Sequence, residues 1–288
     1  MRVLKYAVNV SQVPQRSPFR YPGGKTWLIP VLRQWFASKP KRANVFIEPF
    51  AGGASAALTA AMENKFPKIF FSEIDPDVAQ VWKCATSDSG KDLANKIKNF
   101  KVTQKNVNDL FRRTSKKSKL SERALAVIVR NRVHRGGVLA EGAGRLKRGE
   151  NGNGLRSRWY PETLSKRILE INRNKKKLNF SQSNGFNLIQ KYRRRKNVVA
   201  FIDPPYYNAA HRLYTFWKID HEKLFKLLKN FKGQFLLVYD NEKEIRKLAR
   251  KYKFKMAAIE MKTTHHKLKR ELLLSNNLKW LSHLTPKS

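Results

Sequence analysis

Four short apolar runs divide the chain, and each of them ends at an acidic residue. They cover residues 45–48, 68–73, 197–202 and 233–239; the first two end in Glu and the last two are followed directly by Asp. Short apolar runs of this kind are typical of strands buried on both faces, and such strands occur mainly in parallel sheets. The runs therefore predict a parallel β-sheet.

Helical patterns follow the predicted strands. A turn of proline and glycine at residues 49–53 leads into an alanine-rich helix at 54–64, and a second helix is predicted at 76–81. Further helices are predicted at residues 221–229 and 242–252. Alternation of strand and helix is the pattern of α/β proteins, so we predict an α/β fold with strand–helix–strand units.

The alternation stops between about Asp77 and Arg173, where helical, polar and glycine-rich stretches follow one another. This interval predicts an insertion. Its middle part, residues 136–154, contains seven of the fourteen glycines of the chain among Arg, Lys and Asn residues. Such a composition suits a mobile loop with many backbone donors, although an ordinary connector would have a similar composition.

Charge adds a partner to this picture. The 288 residues include 61 Lys and Arg and 21 Asp and Glu, which gives a formal net charge of +40. The basic residues recur along the whole chain, in clusters such as 116–119, 145–148, 175–177 and 193–196. A charge this large indicates a polyanionic partner, and nucleic acid is the natural one.

Cysteine and histidine usage narrows the chemistry. Cys84 is the single cysteine, which excludes an internal disulfide and a multi-cysteine metal site, and the six histidines lack metal-ligand spacing. The longest apolar stretch, around residues 54–62, is too short to span a bilayer. We therefore predict a reduced, cytoplasmic protein with no metal site and no membrane segment.

Glu48, Glu73 and Asp203 each stand at the end of a predicted strand. In an open parallel sheet, ligands bind at the carboxyl ends of the strands, so these carboxylates are candidate ligand-binding groups. The glycines of residues 51–53 let backbone approach a ligand, and Glu73 could then take ribose hydroxyls. The G-x-G-x-x-G fingerprint of nicotinamide cofactors is missing, and Phe19 stands where a P-loop triphosphatase needs its first glycine.

The segment Asp203-Pro204-Pro205-Tyr206 carries the sharpest chemical signal. Two prolines stiffen the loop, so the Asp203 carboxylate and the Pro204 carbonyl can converge on an amino group while the Tyr206 ring lies against a base. Two acceptors gripping the hydrogens of an aromatic amine would free its lone pair for in-line attack on a sulfonium methyl. The alternative is a proline turn that only caps a strand.

Three segments together resemble the DNA adenine methylase family, in the class whose target-recognition region is inserted between the cofactor and catalytic motifs. They are Phe19-Arg20-Tyr21-Pro22-Gly23-Gly24-Lys25, Phe46-Ile47-Glu48-Pro49-Phe50-Ala51-Gly52-Gly53 and Asp203-Pro204-Pro205-Tyr206. The resemblance covers nearly the whole chain. It implies a Rossmann-like methyltransferase sheet with helices on both faces, formed by residues 1–76 and 174–288. Residues 77–173 would be an inserted, mainly helical target-recognition region that binds DNA.

The same resemblance implies a role for each matching position. S-adenosylmethionine is the implied cofactor, and its binding positions would be Tyr21, Gly23, Gly24, Lys25, Glu48, Phe50, Ala51, Gly53, Glu73, Phe186 and Asp203. The catalytic positions would be Asp203, Pro204, Pro205 and Tyr206, which would hold an adenine flipped out of the duplex. In the inserted region we assign DNA contacts to Arg132, Arg145, Lys147, Arg148 and Arg158.

Two positions depart from the family pattern. The ribose position is usually Asp and is Glu73 here, and Phe186 stands where many relatives have an acidic residue that binds the adenine amine of the cofactor. The longer carboxylate can still accept both ribose hydroxyls, whereas a phenyl ring cannot accept a hydrogen bond. We therefore expect cofactor binding to be weakened but retained.

The resulting hypothesis is an adenine-specific DNA methyltransferase that acts on double-stranded DNA as a monomer, in the cytoplasm of a prokaryote or as a phage protein. Whether a cognate restriction endonuclease is a further partner is left open. One alternative is a ribosomal RNA amino-methyltransferase, since Asp-Pro-Pro-Tyr also occurs in RNA guanine methylases. However, about 150 residues separate Phe50 from Asp203, which leaves room for a recognition insert. The other alternative is a non-catalytic DNA-binding relative, which Phe186 would favour.

Overall fold

A single mixed β-sheet forms the centre of the molecule. The computed structural model describes residues 2–4, 12–20, 23–139, 143–149, 152–207, 218–262 and 268–283. Within these residues the sheet has eight strands: β1 (Arg2–Leu4), β2 (Val45–Glu48), β3 (Lys68–Glu73), β4 (Leu178–Gln182), β5 (Val198–Ile202), β6 (Gln234–Asp240), β7 (Lys255–Lys262) and β8 (Leu268–Ser275).

The order of the strands across the sheet is β1-β7-β8-β6-β5-β2-β3-β4. β8 runs antiparallel to both of its neighbours, and the other pairs are parallel. From β2 the chain proceeds outward through β3 and β4, and from β5 it proceeds in the opposite direction through β6. The strand order thus reverses between β2 and β5, and such a switch point leaves a crevice at the carboxyl ends of the strands.

Ten helices are described around the sheet: α1 (Ile29–Ala37), α2 (Ser55–Met62), α3 (Pro76–Ala85), α4 (Gly90–Asn99), α5 (Gln104–Arg113), α6 (Leu120–Val133), α7 (Pro161–Arg173), α8 (Gly185–Tyr192), α9 (His221–Lys229) and α10 (Lys243–Lys251). Side chains of β2 alternate between two apolar cores. Phe46 packs in one core with residues of α1 to α7, and Val45 and Ile47 pack in the other with residues of α8, α9 and α10. Helices therefore cover both faces, which confirms the predicted α/β fold with a Rossmann-like sheet.

Polar side chains fix where several helices begin. The Asp75 carboxylate accepts the backbone N–H of Asp77 at 2.9 Å, and Pro76 occupies the first position of α3. The Asp220 carboxylate accepts the N–H of Lys223 at 2.8 Å at the start of α9. Each such cap is worth about 1 kcal/mol relative to Ala. These caps explain why the helices predicted from Pro76 and from His221 begin where expected.

The segment between β3 and β4 is mainly helical, and it shares a core with the sheet. Leu93, Val127 and Ile168 of α4, α6 and α7 belong to the same buried cluster as Phe71 of β3. On α7, the Asn172 amide donates hydrogen bonds to the carbonyls of Ala85 at 3.1 Å and Ser87. The region assigned to residues 77–173 is therefore packed onto the sheet, and its division from the rest remains a proposal.

Candidate active site

Glu48 ends β2 at the switch point of the sheet, and its side chain is 3% exposed. The carboxylate accepts the backbone N–H of Ala57, in the first turn of α2, at 2.6 Å. Burial raises the pKa of Glu48 to about 8, and the negative charge of nearby Asp203 adds to this effect. Glu48 therefore holds its proton at neutral pH until a cation comes near.

The loop after β2 is held tightly by β3. The Glu73 carboxylate accepts the N–H groups of Gly52 at 2.8 Å, Ile74 at 2.8 Å and Asp75 at 3.0 Å. Burial raises the pKa of Glu73, although these N–H groups oppose the rise. Gly52 has a φ of 46°, in the left-handed region that favours glycine. The Glu73 carboxylate therefore anchors the glycine turn to the end of β3.

A cavity of about 400 Å³ lies over the carboxyl ends of the central strands. Its lining includes Gly23, Gly24, Lys25, Glu48, Phe50, Ala51, Gly53, Glu73, Asn184, Gly185, Asp203 and Pro205. The structure thus brings together most of the positions that the sequence assigned to the cofactor. Tyr21 lies outside the described residues.

Phe186 lies beside this cavity, at the start of α8. Its ring packs edge-on against Phe50, with 6.0 Å between the ring centroids, and Lys223 Nζ lies 5.8 Å from the Phe186 ring centroid. Its neighbours Asn184 and Gly185 line the cavity, whereas Phe186 does not. The aromatic ring therefore supports the wall from behind.

Asp203 follows β5 and faces Lys25 across the crevice. Lys25 Nζ lies 2.8 Å from Asp203 Oδ1 and donates a hydrogen bond to the Gly23 carbonyl at 2.9 Å. Burial raises the pKa of Asp203, and the Lys25 charge opposes that rise. Burial alone would lower the pKa of Lys25, but attraction to Asp203 and Glu271 outweighs it and raises the value. Lys25 and Asp203 therefore make a short salt bridge across the crevice.

Tyr206 and Glu271 complete the site on the β6–β8 side. Glu271 is 1% exposed, and its carboxylate accepts the Tyr206 hydroxyl at 3.3 Å. Glu271 Oε2 lies 3.9 Å from Lys25 Nζ, which is 5.2 Å from the Tyr206 ring centroid. The sequence analysis missed Glu271. The available signal was an acidic residue beside the apolar run of residues 272–274, which form part of β8.

A family model described as D12 class N6 adenine-specific DNA methyltransferase matches residues 21–265. That span includes the loop after β2, the region between β3 and β4, and the Asp203–Tyr206 segment. The chain belongs to this family. Membership confirms the resemblance drawn from the sequence and makes the chain an enzyme of the adenine-specific methyltransferase class.

Two solved methyltransferase structures show a weak likeness to this family member. The rRNA methyltransferase AviRa from Streptomyces viridochromogenes is 10% identical, with 96% of each chain covered and a TM-score of 0.39. The methyltransferase domain of a bacterial CtHen1 is 11% identical, with 86% of this chain and 94% of that chain covered and a TM-score of 0.36. No curated protein matches the chain.

A second cavity of about 420 Å³ adjoins the Asp203–Tyr206 segment of this methyltransferase. Tyr206, Tyr207, Lys218, Ile219 and His221 line it. His221 and Tyr207 have ring centroids 5.0 Å apart, and His221 Nδ1 is 2.6 Å from the Tyr239 hydroxyl. This aromatic chamber can receive a flat ring beside Tyr206.

The five basic residues assigned to DNA have different surroundings. Arg132 is only 5% exposed and donates a hydrogen bond to the Pro18 carbonyl at 2.5 Å, so it is not a surface contact and that assignment is corrected. Burial, with the charge of Arg167 next in size, lowers the pKa of Arg132 to about 9. Its position on a buried face of α6 was hidden by the basic composition of the region. Arg158 is half-buried.

The glycine-rich loop carries the other three assigned residues. Arg145 is half-buried; its guanidinium donates to Asn108 at 2.7 Å and lies 5.5 Å from the Phe111 ring centroid. Lys147 and Arg148 are exposed. These two cations are therefore the residues of the loop best placed for a phosphate backbone, and the assignment of all three to DNA stays a prediction.

No group of three or more potential metal ligands occurs among the residues described. In the same part of the chain, none of the helices has the length and apolar character needed to cross a membrane.

Proposed function

We propose that this protein transfers a methyl group from S-adenosylmethionine to N6 of adenine in duplex DNA, with the target base flipped out of the helix. The observation that carries the proposal is the position of Asp203. Asp203 lines the cavity over the sheet, Tyr206 of the same loop lines the aromatic chamber, and Lys218 and Ile219 line both. Methyl transfer needs a donor and an acceptor that meet at one point, and we place that point at the Asp203–Tyr206 segment, where the two spaces adjoin.

The cavity fits the proposed cofactor in size and chemistry. Its volume of about 400 Å³ is within the usual range for small-molecule sites, about 300–1,000 Å³. A side-chain carbon at Gly185 would come within 2.5 Å of the Pro49 carbonyl and 2.8 Å of the Phe50 ring, so the wall leaves no room for one. Buried carboxyl groups at Glu48 and Glu73 provide polar anchors within a wall that also contains apolar groups.

The carboxyl groups suit different parts of the proposed cofactor. An ionised carboxylate has about four acceptor positions, and three backbone N–H groups contact Glu73, so room remains for a ribose hydroxyl. The methionine ammonium near Glu48 would favour the ionised form of this carboxyl. S-adenosylmethionine, when bound, supplies an electrophilic methyl group on a sulfonium sulfur.

The catalytic loop supplies the acceptor side of the reaction. Lys25 occupies Asp203 Oδ1, which leaves the second carboxylate oxygen to accept a hydrogen from the adenine amine. The carbonyl of the buried Pro204 would be the second acceptor. The Tyr206 ring, held through its hydroxyl by Glu271, would stack on the base. The base must leave the stack because its amine cannot reach a protein loop inside the duplex.

DNA is the proposed polyanion because the chain combines family membership with a net charge of +40. One chain carries both the methyl-transfer site and the helical insert, so we propose that it acts as a monomer. We place it with DNA in a prokaryotic cytoplasm or in phage infection, and a cognate restriction endonuclease remains an open partner.

Transfer of labelled methyl from S-adenosylmethionine to duplex DNA and to ribosomal RNA, measured side by side, tests the proposal. We expect label in DNA, recovered as N6-methyladenine by mass spectrometry of the nucleosides. Asp203→Ala should abolish transfer while leaving DNA affinity nearly unchanged, because the carboxylate acts on the amine in the transition state. Label confined to RNA, or found in another nucleoside, would overturn the proposal, as would substantial turnover by Asp203→Ala.

A further inference from the structure

We propose that Glu271 is a positioning residue of the methyl-transfer site, which balances the charge of Lys25 and aligns the Tyr206 ring for the target base. The inference rests on the proposed function. Glu271 lies on β8, outside every motif that points to the family, and it contacts the catalytic loop through the Tyr206 hydroxyl.

The Glu271 side chain is almost completely buried. Glu271 is 1% exposed, and a carboxylate buried to this extent is destabilising by several kcal/mol unless opposite charges and hydrogen-bond donors surround it. Two groups of the catalytic site lie beside it, the Tyr206 hydroxyl at 3.3 Å and the Lys25 ammonium at 3.9 Å. The residue therefore faces the reaction centre.

The ammonium of Lys25 lies near three oxygen atoms. Lys25 Nζ has three hydrogens; the Gly23 carbonyl is at 2.9 Å, Asp203 Oδ1 at 2.8 Å and Glu271 Oε2 at 3.9 Å. Without Glu271, one of the two carboxylates described beside the ammonium would be lost, and the Lys25 charge would act more strongly on Asp203. A weaker acceptor at Asp203 would hold the adenine amine less firmly in the transition state. Glu271 thus acts through Lys25.

Glu271 also contacts the Tyr206 side chain. The hydroxyl bond to Glu271 fixes one end of the ring, while Lys25 Nζ lies 5.2 Å from the ring centroid. β8 supplies a rigid base, because Glu271 is paired in register with Asp240 of β6 and Ile259 of β7. Asp240 in turn accepts the Tyr207 N–H at 3.5 Å. Two adjacent strands therefore hold successive residues of the catalytic loop.

Glu271→Gln tests the charge, since a Gln oxygen can still accept the Tyr206 hydroxyl. Its matched control is Glu260→Gln on β7, where Glu260 pairs with Arg270 at 2.9 Å, one position from Glu271 along β8. We expect kcat for DNA methylation to fall about tenfold or more in Glu271→Gln, equivalent to about 1.4 kcal/mol per decade. KM for DNA and cofactor should stay within about twofold. Glu260→Gln should leave kcat unchanged.

The pKa of Lys25 gives a second readout that does not depend on turnover. Asp203, Glu271 and Tyr206 are the charged or titratable groups that act on it. Its Nζ resonance, assigned by its loss in Lys25→Met, should titrate at lower pH in Glu271→Gln than in the natural protein. An unchanged Lys25 pKa, an unchanged kcat, or an equal loss in Glu260→Gln would each overturn the inference.

The same experiments separate this inference from the proposed function. If the natural protein methylates no DNA, the function proposal fails, while the Lys25 titration still tests the link to Glu271. If Glu271→Gln does not fold, Glu271→Asp replaces it. That variant keeps the charge on a shorter side chain, so the Lys25 pKa should stay close to the natural value; a fall would contradict the charge role.

Discussion

Individual carboxyl groups of this protein differ in their surroundings and therefore in their pKa. Glu48 is buried, its carboxyl accepts the backbone N–H of Ala57, and its pKa is about 8. Glu63 follows the last residue of α2 and contacts Arg16 and Arg33; burial alone would raise its pKa, but these cations outweigh burial and lower the value. Their surroundings therefore favour the protonated form of Glu48 and the ionised form of Glu63 at neutral pH.

Glu48 should make the stability of the ligand-free protein depend on pH. The unfolded chain loses this proton near pH 4 and the folded protein near pH 8, so stability should fall as pH rises through that window. In Glu48→Gln, the fall in Tm between about pH 5 and pH 8 should be smaller. Glu63→Gln is the control, because its depressed pKa contributes a constant amount above pH 5. Parallel Tm curves for the natural protein and Glu48→Gln would contradict the expectation.

Phe186 tests how far a supporting ring can replace an acceptor. Its ring packs edge-on against Phe50 of the cavity wall, and the hydrogen-bond acceptor that it replaces would have a net value of only about 0.5–1.5 kcal/mol. The natural protein should therefore bind S-adenosylmethionine in a calorimetric titration. Phe186→Asp should change Kd by no more than about a hundredfold, and Asn187→Asp, on the exposed next residue, should have little effect. If the natural protein does not bind S-adenosylmethionine and Phe186→Asp restores binding, the protein would instead be a methyltransferase relative that has lost its activity.

At the scale of elements, the start of α8 is packed directly against the loop after β2. Gly185→Ala would force the Pro49 carbonyl or the Phe50 ring to move, because the added carbon would lie under 3 Å from both. We expect a loss of about 1–3 kcal/mol in unfolding free energy by denaturant titration, with weaker cofactor binding. Gly144→Ala is the matched control, since nothing lies within 4 Å of its added carbon. Equal stability of the two variants would show that the loop adapts.

The elements also show which parts of the fold the sequence could predict. β2, β3, β5 and β6 were predicted because their apolar runs are buried on central positions of the sheet. β4 was not, since this edge strand has mostly exposed or half-buried residues. β7 contains the helix-favouring run of residues 255–258, and its pairing with β1 and β8 decides the conformation instead.

The candidate site divides in the same way. Glu48, Glu73 and Asp203 could be predicted because each follows its strand within the local sequence. Glu271 could not, because only the antiparallel pairing of β8 with β6 brings it to Tyr206, 65 positions away in sequence. Burial of Arg132 likewise depends on the Pro18 segment, which is distant in sequence.

For the whole molecule, the positive charge is spread over the chain. Residues 77–173 carry 23 Lys and Arg and 9 Asp and Glu, so most of the net charge of +40 lies elsewhere. The whole surface is therefore expected to attract nucleic acid at low salt, and specific contacts should appear as differences in salt dependence.

Neutralising the exposed pair Lys147 and Arg148 tests where duplex DNA is held. The slope of log affinity against log salt should flatten by about 0.9 for each phosphate contact removed. Lys247→Ala with Arg250→Ala, on exposed positions of α10, removes the same charge from the other side of the sheet and should change the slope less. Equal slopes for the two double variants would place the DNA surface away from the glycine-rich loop.

The glycine-rich loop separates two sets of site residues in the sequence, which has a consequence for dividing the enzyme into two fragments. Lys25, Glu48 and Glu73 precede the glycine-rich loop, whereas Asp203, Tyr206 and Glu271 follow it. Gly152 in that loop is exposed, with open space around it, so a peptide bond there could be cut with little loss of packing. Neither fragment would hold a complete site, and activity would require β2 to pair with β5 across the break. Methyl groups found on DNA would then report that the two fragments had associated there.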